Sequence, residues 1–265
     1  LVRGQAPLLV SVPHSGVDIP QDVLLQLTES AQGSVDTDWF MRELYLPITT
    51  ELSASLISPV YSRYVIDLNR PESGESLYPG QTTTGLFPSE RFDGESLYRE
   101  KGEPSEAERC RRLETYWRPY HQTLQAELER LVATYGVALL WEGPSIRSAV
   151  PRLFEGRLPD LNLGTNMGAS CDPSIEQSLR QRLSSVNKYS SVVNGRFRGG
   201  YITRHYGQPQ RRIHAVQLEL SQATYLRDET EPVWDASYTQ DISAVISSLM
   251  SASLDAALGL ATNGG

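Results

Sequence analysis

Leu8-Leu9-Val10-Ser11-Val12-Pro13-His14-Ser15-Gly16 decides the fold. A nearly continuous Leu/Val run suits a strand covered on both faces, which is the signature of a parallel sheet packed between helices. Pro13 has no N–H to give to a ladder, so pairing stops there, and Ser15-Gly16 turns the chain. His14 is thereby left at the carboxyl end of a buried strand, where open α/β sheets gather their ligands. An isolated histidine after a strand is commonly a turn residue, so its role depends on what the other strands deliver to the same edge.

Working outward, the chain alternates strands and helices. Pro20 opens a short helix, and Trp39 to about Leu52 reads as a second, with Asp36 or Asp38 as its natural N-cap. Ser55–Ser58 and Tyr64–Leu68 carry strand-forming residues broken by Pro59. Residues 73–104 are rich in Gly, Pro, Ser and Thr and form a long excursion. From Ser105 to about Tyr135 the apolar residues Leu113, Trp117, Tyr120, Leu124, Leu128 and Leu131 follow a helical stripe, with Pro119 predicted to kink or split it. His121 lies within that stripe and reads as a packed helix residue.

Val137–Trp141 is the next buried strand, and its exit runs through Glu142, Pro144 and Arg147. A second long loop, 151–173, leads into a helix from Asp172-Pro173 to about Leu183. Ser191–Val193, Gly199–Thr203 and Ile213–Leu220 are the remaining predicted strands, and Asp235 to about Leu258 closes the chain as a helix. The strand-helix-strand order predicts one α/β domain over residues 1–265, a mixed and mainly parallel sheet flanked by helices.

Composition narrows the function. With 39% hydrophobic residues in 265, the chain has enough apolar material for one sizeable core. The net charge of −8 argues against nucleic acid and anionic membranes as partners. No run approaches the roughly 18 apolar residues of a membrane span. Cys110 and Cys171 form neither a disulfide framework nor a metal-ligand spacing, which suits a reducing cytoplasm.

Polar residues converge on the predicted strand exits: His14; Asn69 with Arg70; Glu142 to Arg147; and Glu219. In Val216–Leu220, alternation sets Gln217 and Glu219 on one face, and a buried carboxylate there needs a cation or a bound water as partner. Arg198, Arg204, Arg211 and Arg212 cluster just before it, and arginine forks suit an anionic small substrate.

Together, Pro13-His14-Ser15-Gly16, Asp36-Thr37-Asp38-Trp39, Asp67-Leu68-Asn69-Arg70-Pro71, the stretch 151–160, Gly199 to His205 and Gln217-Leu218-Glu219 resemble the N-formylglutamate amidohydrolases. The resemblance spans nearly the whole chain, in order. It implies a zinc carboxypeptidase-like fold with one zinc at the strand ends. It further implies hydrolysis of N-formyl-L-glutamate to formate and glutamate, a step of histidine degradation. His14 corresponds to a zinc ligand, and the Asp36/Asp38 pair supplies the acidic ligand, with Asp38 preferred. Asn69 and Arg70 correspond to a carboxylate-holding pair, with Arg204 and His205 as helpers, and Glu219 to the general base. One position departs: where the family typically reads Trp-Asp-x-His-Ser, this chain has Trp141-Glu142-Gly143-Pro144-Ser145. Pro144 offers no metal donor, and Glu142 is the neighbour considered as its substitute. The alternatives are an impaired or non-catalytic relative that binds acidic N-acyl amino acids, and a deacylase of the same fold for another acyl group.

Overall fold

The computed structural model describes residues 1–77, 80 and 82–262. Its strands are β1 (Leu8–Ser11), β2 (Ser55–Ile57), β3 (Ala138–Glu142), β4 (Ser145–Ile146), β5 (Leu161–Gly164), β6 (Ser191–Val193) and β7 (Ile213–Ser221). Its α-helices are α1 (Gln21–Leu24), α2 (Met41–Glu51), α3 (Glu106–Arg112), α4 (Arg118–Tyr135), α5 (Pro173–Ser184), α6 (Tyr201–Tyr206) and α7 (Gln240–Thr262). The strands form one sheet in the order β2-β1-β3-β7-β5-β6, with β4 also pairing β7. Every ladder is parallel except β5 on β7. The expected α/β class, mixed and mainly parallel, is what the chain adopts.

Period-two alternation explains the layering. Leu139 and Trp141 of β3 join Leu8, Val10, Val216 and Leu218 under α2, α5 and α7, while Ala138 and Leu140 join Leu9, Ile213 and Ala215 under α4 and α6. All nine residues of β7 are buried, as a central strand between two helical layers requires. Helix α7 has the length and apolar content of a membrane span, contrary to the sequence reading. It lies instead on the sheet, burying Ile242, Ile246, Leu249 and Met250 beside α2 and α5.

Several predicted elements differ. Tyr64–Leu68 is buried but forms turns, not a strand, because the outer edge of β2 is already taken: Val2 and Leu56 exchange backbone hydrogen bonds at 2.8 Å. Gly199–Thr203 is not a strand either; residues from 201 wind into α6. The N–H groups at its start are satisfied by distant side chains, Gly200 by Gln217 Oε1 at 2.6 Å and Ile202 by Asn69 Oδ1 at 2.9 Å. No local pattern signals such caps. The long helix is continuous across Pro119, which sits in the first turn of α4 directly after a wider π turn at Leu113–Trp117. That turn absorbs the carbonyl the proline cannot bond.

Neither Asp36 nor Asp38 caps α2, whose N-cap is Phe40 with no side-chain cap bond. Strand β5 was hidden in the second long loop, since Asn162 and Gly164 dilute its apolar pattern. Asp235 holds the turn before α7, accepting from the N–H of Ser237 and Tyr238, so that helix begins only at Gln240.

The fully buried Leu140 sits at the sheet centre. Leu140→Ala is expected to lower unfolding free energy by about 2–5 kcal/mol in urea denaturation. A loss under about 0.5 kcal/mol, the scale of a surface substitution, would contradict this placement of the core.

Candidate active site

Parallel strands point the same way, so their exits meet at one edge. Register aligns Ser11 of β1 with Glu142 of β3, and Glu142 with Gln217 of β7. By alternation Glu142, Gln217 and Glu219 face the α4/α6 side, against the start of α6. There a cleft open to solvent is lined by His14, Arg63, Asn69, Arg70, Pro144, Arg196, Gln217 and Glu219, with Thr82 to Thr84 along its loop side.

His14 anchors one wall. Its Nε2 lies 2.7 Å from Asp67 Oδ1, and its Nδ1 lies 3.5 Å from Asp38 Oδ2. Asp67 Oδ2 accepts from Arg63 Nη2 at 2.8 Å, and Asp67 Oδ1 also accepts the N–H of Asn69 at 2.8 Å. Burial pushes the Asp67 carboxyl up, but His14, Arg70 and Arg63 outweigh it and hold Asp67 well below the usual carboxylate range. Burial and Arg63 push the His14 imidazole down; Asp67 and Asp38 overcome them and raise it.

The two acids of the Asp36/Asp38 pair separate. Asp38 Oδ2 accepts the Ser145 N–H at 2.9 Å, while its buried Oδ1 makes no hydrogen bond. Asp36 turns elsewhere, accepting from Tyr64 Oη at 2.7 Å, from the Phe92 N–H at 2.9 Å and from Arg147 at 3.2 Å. Only Asp38 therefore stands beside His14, and Asp36 is a structural carboxylate.

In the same cleft, Glu219 Oε2 accepts from Gln217 Nε2 at 3.0 Å. Burial, then Asp38 and Glu142, push its carboxyl up to about 8. Glu142 is pushed up to about 7, chiefly by burial, and its two oxygens accept from Asn69 Nδ2 and the Thr203 hydroxyl. Glu142 is thus tied to its neighbours and does not replace a donor at position 144. Asn69, expected on the substrate, has its amide nitrogen on Glu142 and its oxygen on the Ile202 N–H. A Cβ at Gly200 would fall 2.3 Å from Asn69 Nδ2, so only glycine allows this approach.

Arg70 does reach the cleft, steadied by Thr84 O and Oγ1 at 2.8 and 2.9 Å. The expected helpers do not. Arg204 donates to Gly199 O and Leu77 O, and His205 stacks on Tyr201 at 4.9 Å; neither is among the described residues lining the cleft. In their place stand Arg63 and Arg196, which the sequence reading missed. Arg63 directly precedes a run read as a strand, and Arg196 precedes the cluster that drew attention to Arg198. The Asp67-Asn69 spacing within the motif was the available signal for Asp67.

The resemblance implies zinc, and the donors can be counted. His14 Nδ1 and Asp38 Oδ2 are spaced as two ligands of one ion would be, with bonds of about 2 Å to each. Among the described residues no third His, Cys, Asp or Glu joins them. The residues present do not make up the three-donor set of a catalytic zinc.

The raised carboxyls give a stability prediction. Between the ordinary glutamate value of 4.5 and their folded values of about 7 and about 8, Glu142 and Glu219 bind more protons folded than unfolded. Their stabilisation is complete below the ordinary value and is lost as pH rises through the folded ones, so the melting temperature should fall from about pH 5 to about pH 8. Asp67, depressed in the fold, contributes a constant amount over that window. Glu142→Gln mimics the protonated carboxyl and should flatten the slope. Parallel curves for the two proteins would show that Glu142 is not the titrating group.

The N-formylglutamate amidohydrolase family model matches residues 6–226. The chain is 50% identical over 248 residues to an N-formylglutamate deformylase of Pseudomonas aeruginosa, covering 94% of this chain and 92% of that one. It is 51% identical over 240 residues to the N-formylglutamate deformylase of Pseudomonas putida, covering 91% and 88%. In fold it is similar to the crystal structure of an N-formylglutamate amidohydrolase from Ralstonia eutropha JMP134, with a TM-score of 0.78 at 24% identity over 95% of both chains. A match over this share of the sequence is decisive: the chain belongs to the N-formylglutamate amidohydrolase family.

Proposed function

We propose that the protein hydrolyses the formyl amide of N-formyl-L-glutamate, giving formate and L-glutamate. The observation that carries this reading is the 50% identity, over 94% of the chain, to a protein named for that activity. The cleft supports it. A diacid needs cationic forks, and Arg70 and Arg196 supply them on the loop side, where Thr82 to Thr84 also line the wall. With the carboxylates there, the formyl group reaches Glu219 and Arg63, which line the same cleft. Glu219 in its carboxylate form takes a proton from the attacking water as the new C–O bond forms. It then delivers that proton to the nitrogen as the C–N bond breaks. Arg63, a buried cation fixed by Asp67, faces the charge that develops on the formyl oxygen. The free cysteines Cys110 and Cys171 suit a cytoplasmic setting, and the products suit the end of a histidine-degradation route.

A second reading has one observation in its favour. Pro144 lines the same cleft as His14 without a donor atom, which favours a relative that binds acidic N-acyl amino acids with little turnover.

Formate release from N-formyl-L-glutamate, compared with binding measured by calorimetry, separates the two. Hydrolysis predicts that Glu219→Gln lowers kcat roughly 10²–10⁴-fold with KM little changed. Arg70→Lys should raise KM by about tenfold or more, because a point charge cannot replace a fork. Tight binding with no formate from the wild type, in the presence of added zinc, would favour the second reading. Equal turnover of N-acetyl-L-glutamate would move the assignment to another acyl group.

A further inference from the structure

The donor count at the strand exits deepens the proposed function, on which it rests, together with the zinc that the family resemblance implies. Ser145 donates its N–H to Asp38 Oδ2 at 2.9 Å, which brings the residue before it, Pro144, against the Asp38 carboxylate. Pro144 also lines the cleft together with His14, and its backbone is fixed by the Leu220 N–H bonding Pro144 O at 3.0 Å. Residue 144 therefore lines the same cleft as His14 and directly precedes the residue bonded to Asp38, on a framework pinned to the sheet. Nearby, Asp38 Oδ1 is buried without a hydrogen bond, with Arg63 Nη1 3.7 Å away. A buried carboxylate oxygen in that state is short of one partner. His14 Nε2 is already held by Asp67, which fixes the ring with Nδ1 toward Asp38.

We infer that the residues present do not hold a catalytic zinc: His14 Nδ1 and Asp38 are the two donors among the described residues, Pro144 occupies the place of a third, and any ion there exchanges freely. Glu142 does not compensate, because both its oxygens are committed to Asn69 and Thr203. The rest of the ligand frame is intact: the oriented imidazole, the carboxylate and the backbone of residues 144 and 145. One side chain separates a weak site from a closed one.

The test is binding of zinc alone, without substrate, by competition with a chromophoric chelator. Wild type should lose its ion on desalting. Pro144→His should bind one equivalent at least about a hundredfold more tightly, given that losing even an outer-shell partner changes metal affinity roughly 10–100-fold. Pro144→Cys supplies a donor of another kind and should also gain affinity, so the proposal stays testable if one variant folds poorly. Pro144→Ala removes the proline without adding a donor and should bind as wild type does. Asp38→Asn in the Pro144→His background should reverse the gain. Wild type that keeps one zinc through chelator dialysis would overturn the inference, as would donor variants no tighter than Pro144→Ala. Because no substrate enters, tight zinc in the Pro144→His protein without formate release would leave this inference standing and remove the hydrolytic reading instead.

Discussion

The site depends on a buried ionic contact: Asp67, fully enclosed, lies between the His14 imidazole at 2.7 Å and the Arg63 guanidinium at 2.8 Å. These groups come from the exit of β1 and from the turns that follow β2, so the contact ties two segments that no ladder joins. Charges held out of water are costly unless each is paired, and here every partner is itself buried. Removing one leaves another unpaired, a loss of about 3–5 kcal/mol for such pairs. The same contact orients His14, places Arg63 in the cleft and, through the Asn69 N–H, shapes the turn that carries Arg70. One carboxylate thus positions His14, Arg63 and the turn that carries Arg70 together.

A second network runs parallel to it. Glu142 holds Asn69 and Thr203, Asn69 holds the start of α6, and Gln217 links that start to Glu219. Its polar groups lie on the face of the sheet that is apolar one turn earlier, where Ala138, Leu140 and Ala215 pack under the helices. The transition from core to site is the same alternation continued along the strands. A site of this kind inherits the rigidity of the sheet beneath it.

How much of this was legible in the sequence depends on the range of the deciding interaction. Buried strands such as β1, β3 and β7 announce themselves by local composition, and prolines marked the exits after β1 and near β3. The parallel class followed from element order. What failed was decided from afar. Helix α6 is started by the side chains of Asn69 and Gln217, and Tyr64–Leu68 lacks a free strand edge to join. The site shows the same division. His14, Asp38, Arg70 and Glu219 stand at the cleft or against its wall as their motifs suggest. Arg63 and Arg196 were hidden because arginine is usually a surface residue, and only the fold turns these two inward. Asn69 and Asp36 each carry out hydrogen-bonding tasks within the fold that their motifs do not announce.

The account rests on the claim that one cleft holds a diacid by arginines on its loop side and offers the formyl group to Glu219. A crystal structure of Glu219→Gln soaked with N-formyl-L-glutamate tests that claim most directly. Carboxylates on Arg70 and Arg196, with the formyl carbon beside residue 219 and Arg63, are the predicted result. The ligand reversed, or seated in the apolar groove between Tyr61 and Tyr116, would contradict it.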